Sequence, residues 1–289
     1  MFTIENSSIR AGISPKGAEL QSLYSKTHAT EYMWSGDPAF WGKHSPILFP
    51  IIGTLKADTY YYDNKAYQLS RHGFAREMDF EVAAQTADSI TFTLQSNADT
   101  FAKFPFAFKF SIQYALDGDT LKTTYHVANT GNGLLYFSVG GHPAFKVPLS
   151  TDLSYNDYYL LFNKTENAGR WPISKDGLIE TKQQALFDNT NKLPLTKELF
   201  AKDALVFKQL HSTNVALKTD KNPHGLLFDF AGFPFLGIWA AKNADFVCIE
   251  PWCGIADSVD TDQQFVHKEG IESLQPGKDF ERTWSATLF

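Results

Sequence analysis

Three short segments place proton-carrying side chains beside glycine or proline: Arg71-His72-Gly73-Phe74-Ala75-Arg76, Gly140-Gly141-His142-Pro143-Ala144-Phe145 and Ile249-Glu250-Pro251-Trp252-Cys253-Gly254. Imidazoles and carboxylates exchange protons readily near neutral pH, so a positioned His142/Glu250 pair can run general acid–base chemistry. The glycines before His142 allow close backbone approach, and Pro143 restricts the backbone as it leaves the histidine, which is thereby held on a stiff turn. The apolar run Phe246 to Ile249 leads straight into Glu250, which predicts a carboxylate at a strand end, partly withdrawn from water. Trp252 follows, and its ring suits core packing or a flat ligand equally well. Taken singly, His142 reads as a hydrogen-bonded turn residue and Glu250 as a salt-bridged strand terminus. Their company with a third segment of the same kind favours a functional cleft.

Such residues need a rigid frame, and the frame predicted here is all-β. Ile90-Thr91-Phe92-Thr93-Leu94 alternates apolar and polar side chains with the period of a half-buried strand. Phe108, Phe110, Ile112, Tyr114 and Leu116 share one strand face, Asp117-Gly118-Asp119 supplies turn chemistry, and Leu121 to Val127 returns antiparallel. A turn at Asn129-Thr130-Gly131-Asn132-Gly133 precedes another strand from Leu134 to Val139. Helical signals are short, at Ala98 to Phe104 and at Thr196 to Phe200, the latter with Thr196 as cap. The stretch from Ser150 to Leu193 lacks clean alternation and reads as a decorated loop region. Strands following strands imply a large antiparallel β-sandwich with few short helices, forming one domain over residues 1–289.

Composition removes several classes of function. With 26 Lys+Arg against 32 Asp+Glu the net charge is −6, and no basic run tracks a phosphate backbone, so nucleic acid is not an expected partner. No apolar window is long enough to span a bilayer and no signal-like segment opens the chain, which predicts no membrane partner and a cytoplasmic location. Cys248 and Cys253 are too few for a disulfide framework and read as reduced thiols. His72, His142, Asp203 and Glu250 are possible metal ligands, but none stands at a close ligand spacing, so neither metal nor cofactor is expected. The 25 Phe, 12 Tyr and 6 Trp suit cross-strand pairing and sugar stacking alike, and are compatible with a monomer or a homodimer.

At the three segments the sequence resembles the aldose 1-epimerase, or mutarotase-like, family, and within it the branch of hexose-6-phosphate epimerase-like and LacX-type proteins. The likeness begins at Gly17-Ala18-Glu19-Leu20 and continues through Trp34-Ser35-Gly36-Asp37 and Pro46-Ile47-Leu48-Phe49-Pro50. It implies an antiparallel β-sandwich that binds a sugar in an open cleft on one sheet. It further implies His142 as general acid, Glu250 as general base, His72 and Arg76 as sugar contacts, and Asp203 as the aspartate that holds a ring hydroxyl. Where the branch leads one to expect an arginine upstream of the Phe-Pro segment, this chain has only Lys43 and His44. Arg71 and Arg76 remain as guanidinium groups able to form an anionic subsite.

The expected reaction is interconversion of the α and β anomers of a hexose or hexose phosphate. Ring opening needs a base at the C1 hydroxyl and an acid at the ring oxygen, and their roles reverse on closure. Ordinary pKa values would give an ionised Glu250 and a share of protonated His142. Two alternatives stand beside this: a non-catalytic carbohydrate-binding or sensing protein on the same fold, and a glycoside hydrolase or lyase. Hydrolysis usually needs two facing carboxylates, and Asp203 is the only obvious second acid; Asp257, Asp260 and Asp262 read as a solvated acidic loop.

Overall fold

A computed structural model describes all residues, 1–289. The hairpin predicted around residue 118 is its backbone: Phe108–Asp117 pairs antiparallel with Thr120–Asn129 in unbroken register, from Phe108 opposite Asn129 to Asp117 opposite Thr120. Period-two alternation turns Phe108, Phe110, Ile112, Tyr114 and Leu116 inward, and all five are buried.

The hairpin sits inside a nine-stranded sheet. In spatial order its strands are Thr190–Pro194, Tyr158–Glu166, Asn214–Thr219, Leu226–Asp229, Asp279–Leu288, Thr120–Asn129, Phe108–Asp117, Ser89–Gln95 and Glu81–Gln85. A second sheet runs Leu205–Lys208, Phe235–Trp239, Phe246–Cys253, Val139–Gly141 and Ile47–Leu48, with Ala144–Lys146 also pairing Phe246–Cys253. A four-stranded sheet is formed by Phe2–Glu5, Ile9–Ile13, Leu20–Ser25 and Thr30–Glu31. Every strand pairing within these sheets is antiparallel. A contiguous apolar core of 68 residues runs between them, from Ile4 to Leu288, with Phe49, Phe110 and Tyr125 at its aromatic centre.

Two local expectations change. Ala98–Lys103 is a helix as read, capped by Asn97, whose side chain accepts from the Thr100 N–H while the Thr100 hydroxyl accepts from the Asn97 N–H. Thr196 to Phe200 is not helical: Leu199 N–H reaches only Thr196 O, and Ala201 N–H only Glu198 O, as successive turns. The stretch lacks the reciprocal cap that starts Ala98–Lys103, and Asp203 just beyond it is left-handed at φ 84°. The supposed loop region from Ser150 to Leu193 contains the nine-residue strand Tyr158–Glu166. Its opening Tyr158, Tyr159 and Leu160 are buried in succession, so the alternation that marks a one-sided strand is missing.

The second sheet carries the His142 and Glu250 segments, the Arg71–Arg76 segment meets it through the Phe49–Gly73 bridge beside Ile47–Leu48, and one glycine fixes how tightly two of its strands pack. A Cβ on Gly237 would lie 2.5 Å from the Trp252 ring. Gly237→Ala is therefore expected to destabilise the protein by about 1–3 kcal/mol through overpacking. A lower urea midpoint at unchanged m-value would show this; an unchanged midpoint would mean the Trp252 ring yields freely.

Candidate active site

His142 and Glu250 meet because of strand register. Val139 lies opposite Cys253, Gly140 opposite Trp252, and Ala144 opposite Cys248, and the intervening Ile249 N–H donates to Pro143 O. Continuing that register sets His142 across from Glu250, where cross-strand neighbours touch. Pro143, which has no N–H, interrupts the ladder there and frees the two side chains to face a cleft. His142 Nε2 stands 3.3 Å from Glu250 Oε2.

The cleft has a volume of about 380 Å³, within the roughly 300–1,000 Å³ of small-molecule sites. All six residues singled out in the sequence line it: Arg71, His72, Arg76, His142, Asp203 and Glu250. Lys43 and His44 do not. Lys43 pairs with Glu77 at 2.9 Å, and the His44 ring fills the space beside Gly36.

Burial governs the electrostatics. His142 is 8% exposed and Glu250 2%. Burial pushes the imidazole from its ordinary 6.5 down to about 3, with Arg71 and Arg76 adding to the effect. Burial drives the Glu250 carboxyl well up, as does the nearby Asp203 charge, while Arg71 opposes the rise. Both groups are thus pressed toward their neutral forms, unlike the separately charged pair that solution values suggest. In those neutral forms the pair carries one titratable proton and no net charge.

His72 is positioned by its own backbone. It is left-handed at φ 68°, a conformation that concentrates at functional sites in residues other than glycine. Its N–H donates to Gly53 O at 2.9 Å, and Gly53 N–H donates to its Nδ1 at 3.1 Å. With Nδ1 accepting, a neutral His72 must carry its proton on Nε2 and can donate it to a ligand. Burial holds it neutral, with His142, Arg71 and Arg76 contributing in the same direction.

Arg76 Nη2 donates to Arg71 O at 2.8 Å, while its Nε is buried without a hydrogen-bond partner. Asp203 accepts from Ala204 N–H at 2.7 Å, which leaves carboxylate lone pairs toward the cleft.

Sequence reasoning missed the aromatic box around His142. Trp41 stacks on its ring at 5.0 Å and 27°, and Trp239 meets it edge-on at 5.7 Å. Neither residue belongs to a motif; only folding brings them there. Trp252, left open between core and cleft, lines the cleft while 5% exposed, so it serves both.

Asp257 is also not the solvated acid expected from sequence. It is 4% exposed and pairs with the equally buried Lys268 at 2.7 Å. Its other oxygen accepts from Lys56 N–H, its N–H donates to Thr54 O, and its carbonyl accepts from Ile179 N–H. Gly53 and Ile179 line the cleft, so this ion pair braces one wall. Asp260 and Asp262 are exposed, as expected of a solvated loop.

With this geometry in view, likeness to known proteins becomes informative. The family model for aldose 1-epimerase matches residues 1–282. The chain belongs to the aldose 1-epimerase family. The chromosomal LacX protein of Lactococcus lactis subsp. lactis is 30% identical over 295 residues, covering 99% of this chain and 98% of its own. A galactose mutarotase related enzyme from Lactobacillus acidophilus has a similar structure, with a TM-score of 0.94 and 39% identity over 100% of this chain and 97% of that one. A galactose mutarotase-like protein from Lactobacillus casei gives 0.93 and 34%, with both chains covered at 100%. Membership of the aldose 1-epimerase family makes this an isomerase-type, sugar-directed protein on a mutarotase-like β-sandwich. No helix is long and apolar enough to cross a membrane.

The Asp257–Lys268 brace yields a prediction. Lys268→Met leaves a buried, unpaired carboxylate and should destabilise the fold by about 3–5 kcal/mol. The double change Lys268→Met/Asp257→Leu should recover most of that loss in urea unfolding. Equal destabilisation of the single and double variants would show that the pair's charge is not what matters.

Proposed function

We propose that this protein interconverts the α and β anomers of a hexose, with His142 and Glu250 moving the protons. The observation that carries the reading is the facing pair at 3.3 Å inside a cleft ringed by sugar-compatible donors and acceptors. A pyranose seated across the pair offers its C1 hydroxyl to Glu250 and its ring oxygen to His142. Glu250 takes the hydroxyl proton as His142 gives one to the ring oxygen, and the C1–O5 bond breaks to leave an open-chain aldehyde. Rotation about C1–C2 and the reverse transfers close the other anomer.

The reactive form is the ion pair reached when Glu250 passes its proton to His142. Ring opening then returns the pair to the neutral imidazole and carboxylic acid that the dry site favours. The protein's net charge never changes, so no ion has to be solvated inside the cleft. His72 Nε2–H and Asp203 hold ring hydroxyls, and Arg71 and Arg76 attract an acidic substituent such as a phosphate. The two guanidinium groups lining the cleft favour a phosphorylated hexose among the substrates.

Glu250→Gln and His142→Asn should each slow anomer exchange on the order of 10²- to 10⁴-fold, because each removes one positioned proton carrier. Exchange NMR on free and 6-phosphorylated hexoses, with the spontaneous rate subtracted, measures this. Wild-type protein that binds sugar yet leaves exchange at the solvent rate would point to a sensing role. Release of reducing ends from oligosaccharides would point to hydrolysis.

The shared proton also sets a pH dependence of stability. Between 4.5 and 6.5 the unfolded chain carries imidazolium and carboxylate, one proton in all, and the native pair carries one too, so its contribution is level. Above 6.5 the unfolded groups hold none, and stability falls as pH rises while the native pair keeps its proton. Below 4.5 the unfolded groups hold two, and stability falls with pH until the native imidazole protonates at about 3. Glu250→Gln should remove the alkaline fall and His142→Asn the acid one in urea titrations across pH. Unaltered profiles in both variants would contradict a shared buried proton.

A further inference from the structure

The proton-transfer pair has a third neighbour that acid–base chemistry does not use. Cys248 precedes Glu250 by two residues on the strand Phe246–Cys253, so strand alternation sends both side chains to the same side. One donor atom each from His142, Cys248 and Glu250 falls within 4.8 Å of the others. Imidazole, thiolate and carboxylate each bind zinc, and three protein ligands leave a fourth position open. Sequence spacing concealed the grouping, because the histidine stands 106 residues earlier, between the strands Val139–Gly141 and Ala144–Lys146, the separation of positions 248 and 142.

We propose that His142, Cys248 and Glu250 form a latent site for a thiophilic divalent cation of the zinc class, and that occupancy arrests anomer exchange. Zinc bonds of about 2.0–2.3 Å put tetrahedral donors roughly 3.3–3.6 Å apart. His142 Nε2 and Glu250 Oε2 are already 3.3 Å apart, so only the sulfur must close in, by a side-chain movement on the order of 1 Å. The cleft gives access at His142 and a place for a water on the open position.

Charge balance favours the occupied state. The neutral imidazole donates a lone pair, while the thiol and the carboxylic acid each release a proton to solvent. A dication with two anionic ligands is neutral, so the buried site gains no net charge. Arg71 and Arg76 repel an approaching cation, and Asp203, on the same cleft, attracts it. Once bound, the cation occupies the Glu250 oxygen and the His142 nitrogen that must otherwise handle substrate protons. Only the arrest rests on the epimerase reading; binding does not.

The test begins with chelator-treated protein and Co²⁺ as a spectroscopic stand-in for Zn²⁺. One equivalent should produce a near-ultraviolet thiolate-to-metal band that is absent in Cys248→Ser and in His142→Asn, and binding should tighten with rising pH as two protons are released. Zn²⁺ should inhibit exchange reversibly in wild type. Cys248→Ser should keep its basal rate and need at least about tenfold more Zn²⁺ for the same inhibition, one of three ligands being gone. Absence of the Co²⁺ band, or equal Zn²⁺ sensitivity in wild type and Cys248→Ser, overturns the proposal. Because the band needs no turnover, it decides the metal site even if the protein fails to exchange anomers.

Discussion

The structure turns on the buried pair of His142 and Glu250, 3.3 Å apart, whose surroundings press both groups toward their neutral forms. Antiparallel register brings the two residues opposite each other, and the proline after the histidine opens the ladder at that point. Neither side chain could remain so deeply withdrawn from water as a lone charge. Together they can, since a single proton makes their sum neutral wherever it resides. The surrounding groups follow from this requirement: Trp41 and Trp239 keep water from the imidazole, while Arg71 and Asp203 pull the carboxyl in opposite directions.

Backbone hydrogen bonds and a buried ion pair stiffen the cleft around His142 and Glu250. His72 is fixed by two hydrogen bonds to Gly53, and Gly53 belongs to the wall that Asp257 and Lys268 brace. Pre-organised donors of this kind do not have to reorient as charge moves, which is how a protein site outperforms water. The left-handed backbone at His72 and Asp203 is the local strain that the surrounding sheet sustains.

Much of this was legible in the sequence, for reasons that differ by residue. The hairpin at Phe108 to Asn129 was readable because one of its faces is apolar and the other is not. His72, His142 and Glu250 were readable because glycine or proline adjoins each of them, and those two residue types record backbone geometry directly, whereas Arg76 and Asp203 came only from the family resemblance. Trp41, Trp239 and Lys268 were not, because nothing local distinguishes a tryptophan in a cleft from one in a core, or a buried lysine from a solvated one. Asp257 misled for the same reason: its acidic neighbours suggested solvent, whereas a partner 11 residues on takes it inside, the separation of positions 257 and 268. Tyr158–Glu166 was obscured because successive buried residues at its start erase the period of two.

The strand Asp279–Leu288 has a wider bearing. It joins Thr120–Asn129 on one side to Leu226–Asp229 on the other, pairing Thr120 with Thr287 across more than half the chain. The two parts of the large sheet therefore have raw edges until this late segment threads between them. Contacts so distant in sequence slow assembly, since loop-closure entropy is lost before the pairing is gained. Newly made chains will spend that interval with unsatisfied strand edges, and their yield in a cell will depend on how well aggregation is held off meanwhile.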